Sequence, residues 1–247
     1  MRSSRLVTAL RYGVATALAL LFLLPFYVIV RNAFSTNQNI TAPRWNWLPD
    51  QLNLANLDSM LSSDSTGVLR GLLNSAIMTI LQTVGTVVVS LMAGYGLARF
   101  THRLSKVVLG LTVFTLMVPA ATTFVPMFII TAQFGWIDSF RGLVIPGMFS
   151  AFATYLFRQA FLDFPSELED AALMDGCNPF TAFWRIVVPN STGTIAAVGT
   201  IVLIGSWNAF LWPSLVGREA TRTVQVALSQ YMTSQNVRYP ELFMGSL

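Results

Sequence analysis

The chain has 247 residues, 54% hydrophobic and only 11% charged, with a formal net charge of +4. Soluble domains carry about 25% charged residues, so this balance excludes an ordinary soluble enzyme and indicates an integral membrane protein. One cysteine (Cys177) excludes an intrachain disulfide, one histidine (His102) excludes a multi-histidine metal site, and the only lysine (Lys106) stands in H-R-L-S-K-V-V, which is no phosphate-binding loop.

Met1 to Arg11 carries Arg2, Arg5 and Arg11 with no acid, a positive flank that predicts a cytoplasmic N-terminus. Residues 12–30 are uncharged and long enough to cross a hydrocarbon core of about 30 Å. Residues 31–69 are polar, with Trp45 and Trp47, and read as an external loop with interfacial aromatics. Residues 71–98 form the second predicted span, closed by the basic turn Arg99, His102, Arg103 and Lys106. Residues 107–131 form the third, broken by Pro119 and Pro126. After an external turn at 134–141, residues 142–161 form the fourth, with Arg158 in its last turn snorkelling to the interface or pairing with an acid of the next loop. Residues 191–215 form the fifth, and 216–240 are again external. Glu241 to Leu247 reads as the opening of a sixth span. The fold class expected is all-α: a polytopic helical bundle forming one membrane domain over 1–247.

The cytoplasmic segment 163–190 is too well punctuated to be slack. Ser166 and Glu169 have the spacing of a capping box. Gly176 stands where a left-handed residue would end the first helix. Asn178-Pro179 supplies a cap and a first-turn proline for a second helix. On that helix Phe180, Phe183, Trp184 and Val187 make an apolar stripe, and Pro189 closes it. The expectation is helix, glycine corner, helix.

The predicted spans hold essentially no charge beyond Arg158 at an edge, whereas ion-coupled transporters usually place charged groups there. An ion-coupled secondary transporter is therefore disfavoured, although backbone carbonyls also bind sodium. No titratable cluster suits a membrane enzyme. What remains is a membrane scaffold energised by a partner, and the 165–189 loop is the place built to receive one.

These residues also carry a resemblance. Asp170-Ala171-Ala172, Gly176, Ile186, Val188 and Pro189 are similar to the E-A-A–x3–G–x9–I–x–L–P loop of permeases from bacterial binding-protein-dependent ABC importers, with Asp170 for the glutamate and Val188 for the leucine. Asn74-Ser75, A-G-Y-G-L-A-R-F from Ala93, L-M-V-P from Leu116, Y-L-F-R-Q from Tyr155 and W-N-A-F-L-W-P from Trp207 resemble the carbohydrate-uptake subgroup of that family. The resemblance implies the type I importer permease fold in the bacterial plasma membrane. It implies a coupling helix over about 166–175, docked in a separate ATPase subunit that binds ATP and Mg, this chain having no cofactor of its own. Glu167, Glu169, Asp170, Ala171, Ala172, Met174, Asp175 and Gly176 would form the ATPase-coupling set, with Glu169 able to share the role of the missing glutamate. Phe180, Phe183, Trp184, Ile186 and Pro189 would anchor the loop to the chain's own helices.

The implied partners are a second homologous permease, two ATPase subunits, an extracytoplasmic solute-binding protein and membrane lipid, with no nucleic acid. In a maltose-transporting relative the loop before the final span reaches the binding protein, and Gly217 to Pro240 is the weakly matching region here. The implied solute is a sugar or sugar-like molecule, with glycerol-3-phosphate or a glycerophosphodiester as the alternative. Trp207 and Asn208 are candidate substrate-path residues; the competing readings are an interfacial belt residue for Trp207 and helix packing for Asn208.

Overall fold

The computed structural model describes residues 5–49, 51–62, 67–232 and 237–247. In chain order the helices are α1 (Arg5–Ala33), α2 (Asn37–Thr41), α3 (Ala55–Ser62), α4 (Val68–Arg99), α5 (Arg103–Leu116), α6 (Ala120–Gln133), α7 (Phe140–Val144), α8 (Ala151–Leu162), α9 (Ser166–Met174), α10 (Pro179–Ala182), α11 (Val188–Asn190), α12 (Thr192–Trp207), α13 (Leu211–Val216), α14 (Val224–Ser229) and α15 (Tyr239–Gly245). A 3-10 turn, Ile145–Met148, joins α7 to α8, and a π turn, Phe183–Val187, joins α10 to α11. Among the described residues there is no strand, only an isolated bridge between Met232 and Val237. The all-α expectation stands.

Two helices are long and apolar enough to span unbroken, α1 and α4. Three pairs of shorter helices meet at bends and are apolar enough to span only if each pair counts as one: α5 with α6 at 106°, the Phe140–Met148 segment with α8 at 42°, and the Pro179–Asn190 segment with α12 at 78°. The third expected span therefore turns sharply at Met117–Pro119. Pro119 has no N–H to give and pushes Val118 out of the helical region. Pro126, by contrast, stays inside α6. The fifth expected span, 191–215, is not one helix. It ends at Trp207, and the chain restarts as α13 after Asn208–Phe210, because Pro213 cannot donate back to Ala209. The expected loop 31–69 also contains regular structure, α2 and α3.

The chain divides into two compact units, residues 1–70 with 226–247, and residues 71–225. In the first, α15 packs on α1 and α3. Asn56 donates to the carbonyls of Ala33 and Ser35 at 2.8 and 2.9 Å, satisfying acceptors left over at the end of α1. The Arg31 guanidinium is buried and lies 4.8 Å over the Trp45 ring. Leu20, Leu21, Phe22, Leu23 and Phe26 of α1 are exposed, as a helix apolar on all sides should be when lipid is its solvent.

The second unit is built on α4. One buried cluster joins Leu91 of α4, Ala153, Phe157 and Phe161 of α8, Phe183 and Val187 of the π turn, and Val198 of α12. Gly94 sets how closely α4 and α8 cross. A Cβ there would lie 2.7 Å from Phe157 Cβ and 2.9 Å from the Arg158 backbone nitrogen. At the other end of α4, Asn74 donates to the carbonyls of Ala220 and Arg222 at 3.1 and 2.9 Å, and Ser75 Oγ accepts from the Val224 amide at 2.9 Å. That end thus holds the segment after α13. Asp138, in the left-handed region at φ 53°, gathers the same segment. Its carboxylate accepts from the amides of Arg218, Ala220 and Thr221 and from the Thr221 hydroxyl, at 2.8 to 3.2 Å.

Candidate functional site

The segment between α8 and α12 is the site the sequence singles out, and most of its punctuation is present. Helix α9 ends in a Schellman motif. The Gly176 amide donates to Leu173 O at 3.1 Å and the Cys177 amide to Ala172 O at 3.0 Å, while Gly176 takes φ +85°. Asn178 Oδ1 caps the second helix by accepting from the Thr181 amide at 2.8 Å, with Pro179 in its first turn.

The expected capping box does not form. Pro165 is the N-cap of α9 and no side chain caps it. Glu169 has turned inward instead and is 8% exposed. It accepts from Tyr95 Oη at 2.7 Å and from Arg99 Nε and Nη2 at 2.9 and 2.5 Å. Arg99 Nη2 also donates to Phe164 O at 3.1 Å. A charge-assisted fork from a guanidinium is worth more to a carboxylate than one backbone amide in water, so the distant partner wins over the local cap. The same arrangement corrects the reading of Arg158. Its Nε donates to Leu97 O at 3.3 Å, and the loop acid is paired by Arg99 instead.

Aromatic packing surrounds the ion pair. The Tyr95 ring lies 5.7 Å from Phe161, edge-on, and 4.6 Å from Phe183. Of the expected anchors, Phe183 lies in the buried cluster together with Val187, and Ile186 is half-buried. Phe180, Trp184 and Pro189 are exposed. The expected stripe assumed an α-helical period. Between Phe183 and Val187 the chain makes a wider turn, with the Val188 amide donating to Phe183 O, and this directs Phe183 and Val187 inward while Phe180 and Trp184 stay out.

The expected ATPase-coupling set is likewise divided by face. Glu169 and Ala172 are buried against the chain's own helices. Glu167, Asp170, Ala171, Met174, Asp175 and Gly176 are exposed. Met174 is 88% exposed, and Leu168, Leu173, Phe180 and Trp184 are exposed as well. The position that departs from the E-A-A pattern, Asp170, is exposed, while the buried acid is its neighbour.

Trp207 and Asn208 belong to a different region. Asn208 is exposed and donates to Ile204 O of its own helix at 2.9 Å, and Trp207 is half-buried. It is Trp212 that ties helices together, donating from Nε1 to Gly142 O at 3.0 Å. The residues that sequence reasoning missed are Tyr95 and Arg99. Their signal was the i, i+4 spacing of a phenol and a guanidinium on one face at the end of a span.

Residues 85–246 match the family described as "Binding-protein-dependent transport system inner membrane component". The chain belongs to that family. It is 35% identical over 220 residues to the sn-glycerol-3-phosphate transport system permease protein UgpE of Yersinia pestis bv. Antiqua (strain Antiqua), covering 87% of this chain and 78% of that one. It is 34% identical over 175 residues to the lactose transport system permease protein LacG of Rhizobium radiobacter, covering 70% of this chain and 64% of that one. Its fold matches a chain in the crystal structure of a bacterial ABC transporter involved in the import of the acidic polysaccharide alginate, with a TM-score of 0.83, 21% identity, and coverage of 100% of this chain and 92% of that chain. The chain is accordingly a multi-pass inner-membrane transport component with an importer permease fold.

Proposed function

We propose that this chain is the permease subunit of an ATP-driven importer for a sugar or sugar-like solute, and that α9 with its glycine corner is where a separate ATPase subunit applies force. The observation that carries the reading is the two-faced α9. Its inner face is fixed by a part-buried ion pair to α4, while Met174 is exposed on the other side, among Glu167, Asp170 and Asp175. An exposed apolar surface rimmed by charge is what a protein partner covers, and an acidic face suits a basic cleft better than an anionic leaflet.

ATP and Mg belong to the ATPase in this reading, and solute arrives from an extracytoplasmic binding protein. A second homologous permease completes the pathway. Arg2, Arg5 and Arg11 favour an N-terminus in the cytoplasm. A second reading of the solute, sn-glycerol-3-phosphate or a glycerophosphodiester, is favoured by the 35% identity to UgpE.

The test is purification of the tagged full chain from its native membrane in mild detergent, followed by solute retention on the binding protein that accompanies it. Recovery of a second permease and two ATPase copies, with retention of radiolabelled lactose or sn-glycerol-3-phosphate, is expected. A stable, transport-competent single chain would overturn the reading.

A further inference from the structure

Resting on the coupling role of α9, we infer that Arg99 and Glu169 are positioning residues that join α9 to α4, and that α4 carries the ATPase's movement to the Gly217–Thr223 segment at its far end. Three observations meet here.

The first is how α9 is attached. Arg99 braces both sides of the junction, holding Glu169 on α9 and Phe164 O just before it, while Tyr95 binds the same carboxylate and packs on Phe161 and Phe183. A force on α9 therefore reaches the end of α4 through a part-buried, charge-assisted contact, which has little freedom to slip.

The second is the form of α4. Within residues 71–225 it is the one described helix long and apolar enough to cross a membrane unbroken, the other candidates being pairs of shorter helices that meet at 106°, 42° and 78°. Bent pairs take up displacement at their breaks, whereas an unbroken helix moves as a body. From Arg99 to Asn74 it extends about 37 Å at a rise of about 1.5 Å per residue.

The third is what lies at the other end. Asn74 and Ser75 grip the backbone at Ala220, Arg222 and Val224. Gly71 is packed there too, since a Cβ on it would come within 3.2 Å of the Thr223 and Val224 backbone. The helix is thus fastened at both ends, to the proposed force-receiving helix and to a segment 50 residues or so further along the sequence, by contacts of specific side chains. This is a physically contiguous route with a named joint at each end.

The test uses the whole transporter with its ATPases and binding protein in lipid nanodiscs. Cys177 is changed to Ser and a fluorophore is attached at Glu219→Cys, an exposed position in the far segment. In the otherwise native chain, ATP with vanadate should shift the fluorescence. Arg99→Gln, which removes the charge on the α4 side of the joint, should retain bound ATPase and ATP hydrolysis while the shift falls about tenfold, the size of a typical coupling between sites. Arg99→Lys should recover more of the shift than Arg99→Ala. A full shift in Arg99→Gln, loss of the ATPase from that variant, or no shift in the native chain would each overturn the inference. Absence of ATPase from the native complex is a different failure, that of the coupling role itself, and is seen before any variant is made.

Discussion

The two ends of α4 each hold a loop, and they do so with different chemistry. At the Arg99 end one buried carboxylate is met by a guanidinium and a phenol, inside a packed aromatic cluster. At the Asn74 end the partners are neutral, and they address backbone carbonyls and an amide. A neutral grip on backbone tolerates changes in the side chains of the loop it holds. A charged clamp on one side chain does not, because the carboxylate at its centre is buried and removing its guanidinium strands that charge. The first end is therefore sensitive to a single ion pair, and the second to the residues of α4 itself.

The largest expected effect is at the clamp. Arg99→Ala leaves the buried Glu169 carboxylate without its guanidinium and should lower stability by about 3 kcal/mol. Thermal unfolding in detergent, read against Glu167→Ala on the exposed face, checks this; equal midpoints for the two variants would break the contrast. Next is Gly94, which both clamp and core depend on. Gly94→Ala puts a methyl against backbone atoms of α8 and should cost about 1–3 kcal/mol. The readout is the fraction of monodisperse protein recovered on gel filtration. Gly176→Asp comes third. Nothing lies within 4 Å of a Cβ there, so the cost is the left-handed backbone alone, about 1–2 kcal/mol. Membrane insertion should persist while ATPase binding is lost.

The smallest effect concerns the other loop and depends on pH. Burial raises the Asp138 carboxyl, but donation from the Thr221 hydroxyl and the amides of Arg218, Ala220 and Thr221 outweighs it, so the group is held below the ordinary carboxylate range. Its folded value is depressed. The stability it contributes is therefore present above the unfolded value, near about 4, and is lost as pH falls through the folded value. Amide exchange at 218–221, corrected for intrinsic rates, should be slow at neutral pH and rise below about pH 4. Asp138→Asn, which tolerates the left-handed backbone, should exchange fast throughout. A wild-type profile flat to acid would show that the carboxylate does not hold this loop.

What was legible in the sequence follows the range of the interactions. The Schellman corner at Gly176 and the Asn178-Pro179 start are made within a few residues, and both formed as read. The Ser166–Glu169 box is equally local, yet it lost to an arginine 70 residues away that no window could include. The apolar stripe failed more subtly, because one wide turn before Pro189 changes which of Phe180, Phe183, Trp184 and Val187 face inward. Spans were found by their composition, and the break at Pro119 was expected, but Pro126 stays inside α6 and the end of α12 at Trp207 was not foreseen. α5 ends just before Pro119, which cannot continue a helix, whereas α12 ends at Trp207 with the polar Asn208 as its C-cap.

The central claim, that energy enters at the outer face of α9, is tested most directly by cross-linking in the assembled transporter. With Cys177 changed to Ser, a photo-activatable thiol probe is placed at Met174→Cys or at Ala172→Cys, one residue on each face. Met174 is exposed and Ala172 is buried against the chain's own helices. The account predicts a covalent adduct with an ATPase subunit from Met174→Cys, and only intrachain products from Ala172→Cys. An ATPase adduct from neither position, in a complex that still imports its solute, would contradict it.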